Sequence, residues 1–288
     1  MSNLRRDGEL PEAFRDALDR QDKLHRRKPE LKIHGATHAR VMVRELGMVS
    51  VNAATELPNL IDPIVGRRAS GAERVYQEPA AQLKTWLGAI LEDRDLLELK
   101  LFRQEATLLV RPLWPLVDPM SKQFGVVGRD GELLSPMGRK FLSFLDRNGP
   151  TRMDRLKKEL GVRTVGDSKA FKLARSELDG YCLIVAWADP DTPRDPNGTI
   201  WETWDRFSSR NLDLRLIPKS LPEAWAGLLE AAMRAAVIGQ EKLIPQWFPW
   251  TRDEAKDALT TVLSRGFADR MEVQRESWIV QRAPVLRA

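Results

Sequence analysis

One stretch, residues 135–207, constrains the fold more than any other, because it orders three short helices ahead of two short strands. In SPMGRKFLSFLDRNG, Ser135 stands at an N-cap, Pro136 at the first helical position and Gly149 at the end. Met137, Phe141, Phe144 and Leu145 recur along one face at helical spacing. PTRMDRLKKELG reads as a second helix, capped by Thr151 and Asp154 and closed by Gly161. DSKAFKLARSELDG reads as a third, with Phe171, Ala174 and Leu178 on its buried stripe. YCLIVAW then reads as a strand, ADPDTPRDPNG as a turn-rich loop and TIWETWDRF as the returning strand. Three helices followed by a hairpin is the order of a winged helix, whose third helix lies in the DNA major groove while the wing touches the backbone.

The order recurs. An Ala/Leu-rich helix over 222–239 precedes WTRDEAKDALTTVLSRG, a helix capped by Thr251 and stopped by Gly266, and FADRMEVQRESWIVQR reads as a hairpin. Towards the N-terminus, ATHARVMVRELG is a helix ending at Gly47 and VNAATELPNLID reads as one or two further turns. EPAAQLKTWLGAILEDRD is a long helix, and LLELKLFRQEATLLV is a hairpin closed by RPLWPLVDPM. The expected fold class is therefore mainly α with short β-hairpins (α+β), as three tandem winged-helix domains around a DNA-binding channel. The units fall at 35–130, 131–210 and 211–288, behind a helical extension over 1–34.

Charge agrees with that expectation. The net charge of +5 favours a polyanionic partner, and residues 151–180 hold eight Lys/Arg against five Asp/Glu. Lys169, Lys172 and Arg175 recur every three residues on related faces of the third helix. With Arg152 they are the candidate phosphate contacts of this block; a solvated helix face is the competing use. Arg67 and Arg68, on the Gly-flanked loop VGRRASGAERV, are candidates in the first unit. Cys182 is the only cysteine, which excludes an intramolecular disulfide and fits a reducing cytoplasm. No run approaches the roughly 18 apolar residues of a membrane helix, and the N-terminal stretch lacks the apolar core of a secretory signal. The expected setting is cytoplasmic and nucleoid-associated, with the chain acting as a monomer.

RELGMVSVNAATELPNL poses the functional question, because Ser50 and Asn52 flank a single valine and would share a face if the chain is locally extended. They are helix caps or a hydrogen-bonding face. RELGMVSVNAATELPNL, followed by KLFRQEATLLVRPLWPLVDPM, resembles the winged-helix DNA glycosylases of the AlkZ/YcaQ type. Members carry a Leu-Gly pair, then Gln-x-Gln or Gln-x-Asp, then His-Glu-Ala-Ser-Leu-Leu-Pro and Leu-Trp-Pro-Leu. The counterparts here are Leu46-Gly47, Ser50-Val51-Asn52, Gln104-Glu105-Ala106-Thr107-Leu108-Leu109 and Leu113-Trp114-Pro115-Leu116. The resemblance implies double-stranded DNA, damaged in the glycosylase case, as partner. It also implies hydrolysis of the N-glycosidic bond of alkylated or crosslinked bases, without metal or cofactor. It makes Ser50, Asn52, Gln104 and Glu105 the candidate catalytic residues. This chain differs at the key positions: Ser and Asn replace Gln and Gln/Asp, and Gln104 replaces His. Asn is a very poor base, and losing His removes a group that titrates near neutrality. Two rival readings are a non-catalytic DNA-binding regulator and a winged-helix protein-interaction scaffold.

Other constellations give less. His34 and His38 share a helical face without a third ligand nearby. GVVGRDGE lacks the Lys-Ser/Thr of a phosphate loop and reads as a turn. Among nine Trp, Trp201, Trp204 and Trp278 fit core packing better than base stacking.

Overall fold

Side-chain capping sets several helix starts in the computed structural model, which describes residues 10–130, 133–188 and 199–282. Helix α1 covers Glu12–Leu24, and α2 covers Ala36–Leu46 and ends at Gly47, φ 78°. The short strand β1 is Met48–Ser50. Helices α3 (Ile61–Val65) and α4 (Gly71–Val75) follow, α4 opened by a Ser70–Glu73 capping box. Helix α5 (Glu78–Leu91) leads into strands β2 (Leu96–Phe102) and β3 (Glu105–Val110). Helix α6 (Trp114–Asp130) bridges to α7 (Pro136–Asn148), which Ser135 caps through the Gly138 N–H. Then come β4 (Thr151–Arg152), α8 (Met153–Glu159), α9 (Val165–Gly180), β5 (Ile184–Ala188) and β6 (Thr199–Thr203). A Thr164–Asp167 capping box opens α9. Helix α10 (Trp204–Asn211) precedes α11 (Leu221–Ala236), β7 (Ile238–Gln240), α12 (Arg252–Ser264), β8 (Ala268–Val273) and β9 (Glu276–Gln281).

The molecule is thus mixed α+β, mostly helical, with small antiparallel sheets. Their strand orders are β1-β3-β2, β4-β6-β5 and β7-β9-β8. Each time a helix and a very short strand come first, further helices follow, and a hairpin returns its second strand to pair with the short one. The first and third hairpins close through Arg103-Gln104 and Gln274-Arg275, all four at positive φ. That is the backbone of a two-residue turn matched to strand twist, reached here without glycine.

Four local expectations are corrected. Thr151 does not cap α8; it pairs with Trp201 in the second sheet, and its Oγ1 donates to the Gly149 carbonyl at 2.9 Å. The strand expected over TIWETWDRF stops at Thr203, where Trp204, Phe207 and Ser208 become buried at helical spacing. RPLWPLVDPM and GVVGRD are not closing turns but lie largely in α6, with Pro115 in its first turn, where a missing N–H costs no bond. VNAATELPNLID forms no helix before Ile61: Pro58 holds Leu57 out of the helical region, and Asn59 starts α3 by accepting from the Ile61 and Asp62 N–H groups. The loop stretch 189–198 and residues 131–132 lie outside the described residues.

Packing welds the three sheets together. The largest cluster joins Leu97, Leu99 and Leu109 of the first sheet to Trp114, Val117 and Met120 of α6, and to α11 and α12. The Trp204 indole N–H donates to the fully buried Asp118 at 3.0 Å, tying α10 to α6. Trp201, Trp204 and Trp278 are all buried, so they serve the core. Trp247 packs close against β7, where a Cβ on Gly239 would come within 2.6 Å of its ring. Helix α1 docks Phe14 and Ala17 onto Val237, Ile238 and Trp278. The Gln21 amide donates to the Ala236 carbonyl at 2.6 Å, and His25 Nε2 meets the Ala235 carbonyl at 2.9 Å. Those two carbonyls end α11, where no helical partner exists for them, so the N-terminal helix caps α11.

Candidate functional site

Strand β1 is short because the chain folds back on it at once. Ser50 pairs with Thr107 of β3 on one side and forms a parallel bridge to Asn59 on the other. The Ser50 N–H donates to the Pro58 carbonyl at 2.8 Å, and the Val51 N–H to the Ala106 carbonyl at 2.8 Å. Ser50 shares its sheet face with Met48 and Thr107, and α11 packs across β1. Its hydroxyl is 1% exposed as a residue and makes no hydrogen bond among the described residues. Asn52 lies beyond the strand end and is exposed, its carbonyl accepting from Arg74 at 3.2 Å. The two side chains therefore do not form one exposed pair: the extended stretch that would align them ends at Ser50. Neither is a helix cap.

Asn59 and Asp62 escaped the sequence reading. The Asn59 carbonyl oxygen caps α3, which leaves its buried Nδ2 without a partner. Asp62 is fully buried and accepts from Arg27 at 2.8 Å, from Arg74 at 2.5 Å and from the Ala69 N–H at 3.0 Å. One carboxylate thereby ties α3 and α4 to the Arg67-Arg68 loop and to Arg27 just past α1, which also reaches Asp22 of α1 at 3.4 Å. The Asn-x-x-Asp spacing was visible in the sequence, but its partners are remote. Near Asn52, Glu56 is also committed, to Arg103 at 3.1 Å.

The other half of the candidate site is the β2–β3 hairpin tip. Arg103 donates its N–H to the Trp247 carbonyl at 2.7 Å and its guanidinium to Glu56 and Gln246. The Gln104 side chain approaches Gly180 at the end of α9, 3.9 Å from where a Cβ would stand. Gln104 and Glu105 are exposed, and Glu105 has no ion pair among the described residues. Pairing of Val51 with Ala106 thus brings the Ser-Val-Asn and Gln-Glu-Ala phrases together in space. What faces outward there is Asn52, beside a hairpin turn bearing Gln104 and Glu105.

The six candidate cations divide. Lys169 and Lys172 are exposed on α9 and make no ion pair among the described residues. Arg175 is half-exposed but committed, 3.5 Å from Asp179 and over the Trp201 ring at 5.6 Å. Burial, with Glu98 of β2 adding repulsion, pushes the Asp179 carboxyl up to about 6 against the pull of Arg175 and Lys100. Burial likewise raises Glu98. Arg67 is held by Glu73 at 2.6 and 3.0 Å, and that pairing raises its pKa. Arg68 stands among Arg27, Asp62, Asp22 and Arg74, and burial lowers it. Arg152 reaches Asp154 at 3.4 Å. His38 Nδ1 accepts from the His34 N–H at 3.3 Å, and among the described residues no cluster of three His, Cys, Asp or Glu could hold a metal.

No family model matches the sequence, and no curated protein matches it. Among solved structures, the chain is similar to Streptomyces sahachiroi DNA glycosylase AlkZ, with a TM-score of 0.54 over 94% of this chain and 70% of that one. The two share a fold. At 11% identity the likeness to AlkZ is one of fold, so the resemblance read from the short phrases is met in architecture and not in sequence. No helix among the described residues is long and apolar enough to cross a membrane.

Proposed function

We propose that the chain is a duplex-DNA-binding protein that keeps the architecture of a base-excising glycosylase and does not excise bases through its Ser-Val-Asn segment. In this reading residues 35–130, 131–210 and 211–288 are winged-helix units around a DNA channel, residues 1–34 are an extension bracing the third, and the monomer works on the nucleoid. One observation carries the DNA assignment: the thrice-used order of helix, short strand, helices and hairpin, within a fold shared with a DNA glycosylase. Helix α9 takes the recognition position of the second unit. Lys169 and Lys172 supply phosphate contacts, Arg152, Arg67 and Arg68 lie on the rim, and Arg175 seats the helix. The non-excising half is supported by Ser50. A hydroxyl buried against α11 does not touch DNA, and Asn52 alone orients water without accepting its proton.

The test is incubation with duplexes carrying an alkylated purine or an interstrand crosslink, followed by strand cleavage at abasic sites, with binding measured in parallel. The expected result is saturable, salt-sensitive binding without abasic product. Product that disappears in Asn52→Ala would overturn the non-excising half. Absence of binding at about 50 mM salt, where phosphate contacts are strong, would overturn the whole reading.

A further inference from the structure

A basic concavity among the described residues lies away from α9. It is a groove of about 700 Å³ along the outer face of α7, lined by Pro136, Arg139, Lys140, Ser143, Phe144 and Arg147, with Glu159 and Leu160 at its far wall. Helix α7 buries the opposite face, where Phe141 stacks on Phe171 of α9 at 5.2 Å. A ligand in the groove therefore cannot also lie along the exposed lysines of α9.

Three features give the groove a chemistry. Lys140 and Arg147 are exposed with no ion pair among the described residues, and Glu159 is the one carboxylate in the lining. Charge of one sign in a concavity with low-dielectric walls focuses the potential on an anion. The cations are also held in place: Arg147 Nε donates to the Ser143 carbonyl at 3.2 Å, and Arg139 to the Leu134 carbonyl at 2.5 Å. Arg139, Ser143 and Arg147 follow one another by four residues, a straight row of about 6 Å per step. The row spans about 12 Å. Finally, Phe144 is a half-buried aromatic in the lining, and aromatic side chains stack on unpaired bases.

We infer that this groove binds a single-stranded nucleic-acid segment, with phosphates on Lys140 and Arg147 and a base against Phe144. The site is separate from the duplex contacts proposed for α9 and does not depend on them.

The probe is a fluorescein-labelled oligothymidylate about twelve nucleotides long, followed by anisotropy across a salt series. Lys140→Glu with Arg147→Glu changes two exposed side chains, and a thermal melt checks that the fold is kept. The expected result is at least a tenfold loss of oligothymidylate affinity, with a salt slope shallower by about 1.4 for two lost phosphates, and duplex affinity changed less than twofold. Phe144→Leu, which keeps an apolar side chain, should weaken oligothymidylate several-fold without altering the slope. Oligothymidylate that fails to bind the wild type, or binds the double variant equally well, overturns the inference. So does equal competition by polyglutamate, which would make the groove a general anion surface. Because Lys169→Glu with Lys172→Glu should leave oligothymidylate binding intact, failure of this site and failure of the duplex reading give different results.

Discussion

Ser50 shows how little a side chain's identity says about its use. Its hydroxyl sits at the most suggestive position of the chain, yet it is buried and unpartnered, as is the neighbouring Asn59 amide. An unsatisfied buried polar group costs on the order of 1–3 kcal/mol. Ser50→Ala should therefore leave stability unchanged or raise it by about 1 kcal/mol, with duplex affinity unaltered, as read by denaturant melts and anisotropy. A large loss of DNA affinity with a normal melt would show that Ser50 reaches the ligand after all. The sequence flagged Ser50-Val51-Asn52 as unusual. It did not reveal that Pro58 and Asn59 return to cover Ser50, because that contact depends on a bridge formed eight or nine residues later.

At the scale of elements, local chemistry was the legible part. Ser135, Thr251 and the terminal glycines mark real helix ends, since caps act over three or four residues. Thr151 misled because a Thr before a short helix suits a cap and a strand equally, and only pairing with Trp201 decides. The Asp62 knot was less legible, joining α1, α3 and α4 through Arg27 and Arg74, both nearly buried. Asp62→Asn leaves the buried Arg74 without a carboxylate partner among the described residues and Arg27 with only Asp22, 3.4 Å away. A loss of about 3–5 kcal/mol is expected, the range for breaking a buried ion pair, read as a fall in denaturant midpoint. A loss below about 1 kcal/mol, the range of a surface pair, would show that water reaches the knot.

For the whole molecule, the two ends of the described chain meet: α1 lies on the third sheet and caps α11 with Gln21 and His25. The sequence marked residues 1–34 as an extension, but nothing local to it names a docking site more than 200 residues away. His25 gives that joint a pH dependence. Burial, then the nearby Arg27, lowers its pKa well below 6.5, so the folded state holds it neutral. Below about pH 6.5 the unfolded chain binds the extra proton, so stability present above that pH is lost as pH falls. His25→Gln keeps a donor for the Ala235 carbonyl and removes the titration. It should flatten the fall in melting temperature between about pH 6.5 and 5, and an unchanged fall would place the acid sensitivity elsewhere.

The three-unit pattern was read from order alone, helices before hairpins, and the three sheets share one strand order, with the returning hairpin strand in the middle. What that architecture binds is decided most directly by duplex affinity across a salt series, wild type beside Lys169→Glu with Lys172→Glu. The expected result is a steep fall of affinity with salt in the wild type, and a slope shallower by about 1.8 in the variant for two lost phosphate contacts. No duplex binding at low salt, or an identical slope in both proteins, would contradict a DNA-binding role for α9.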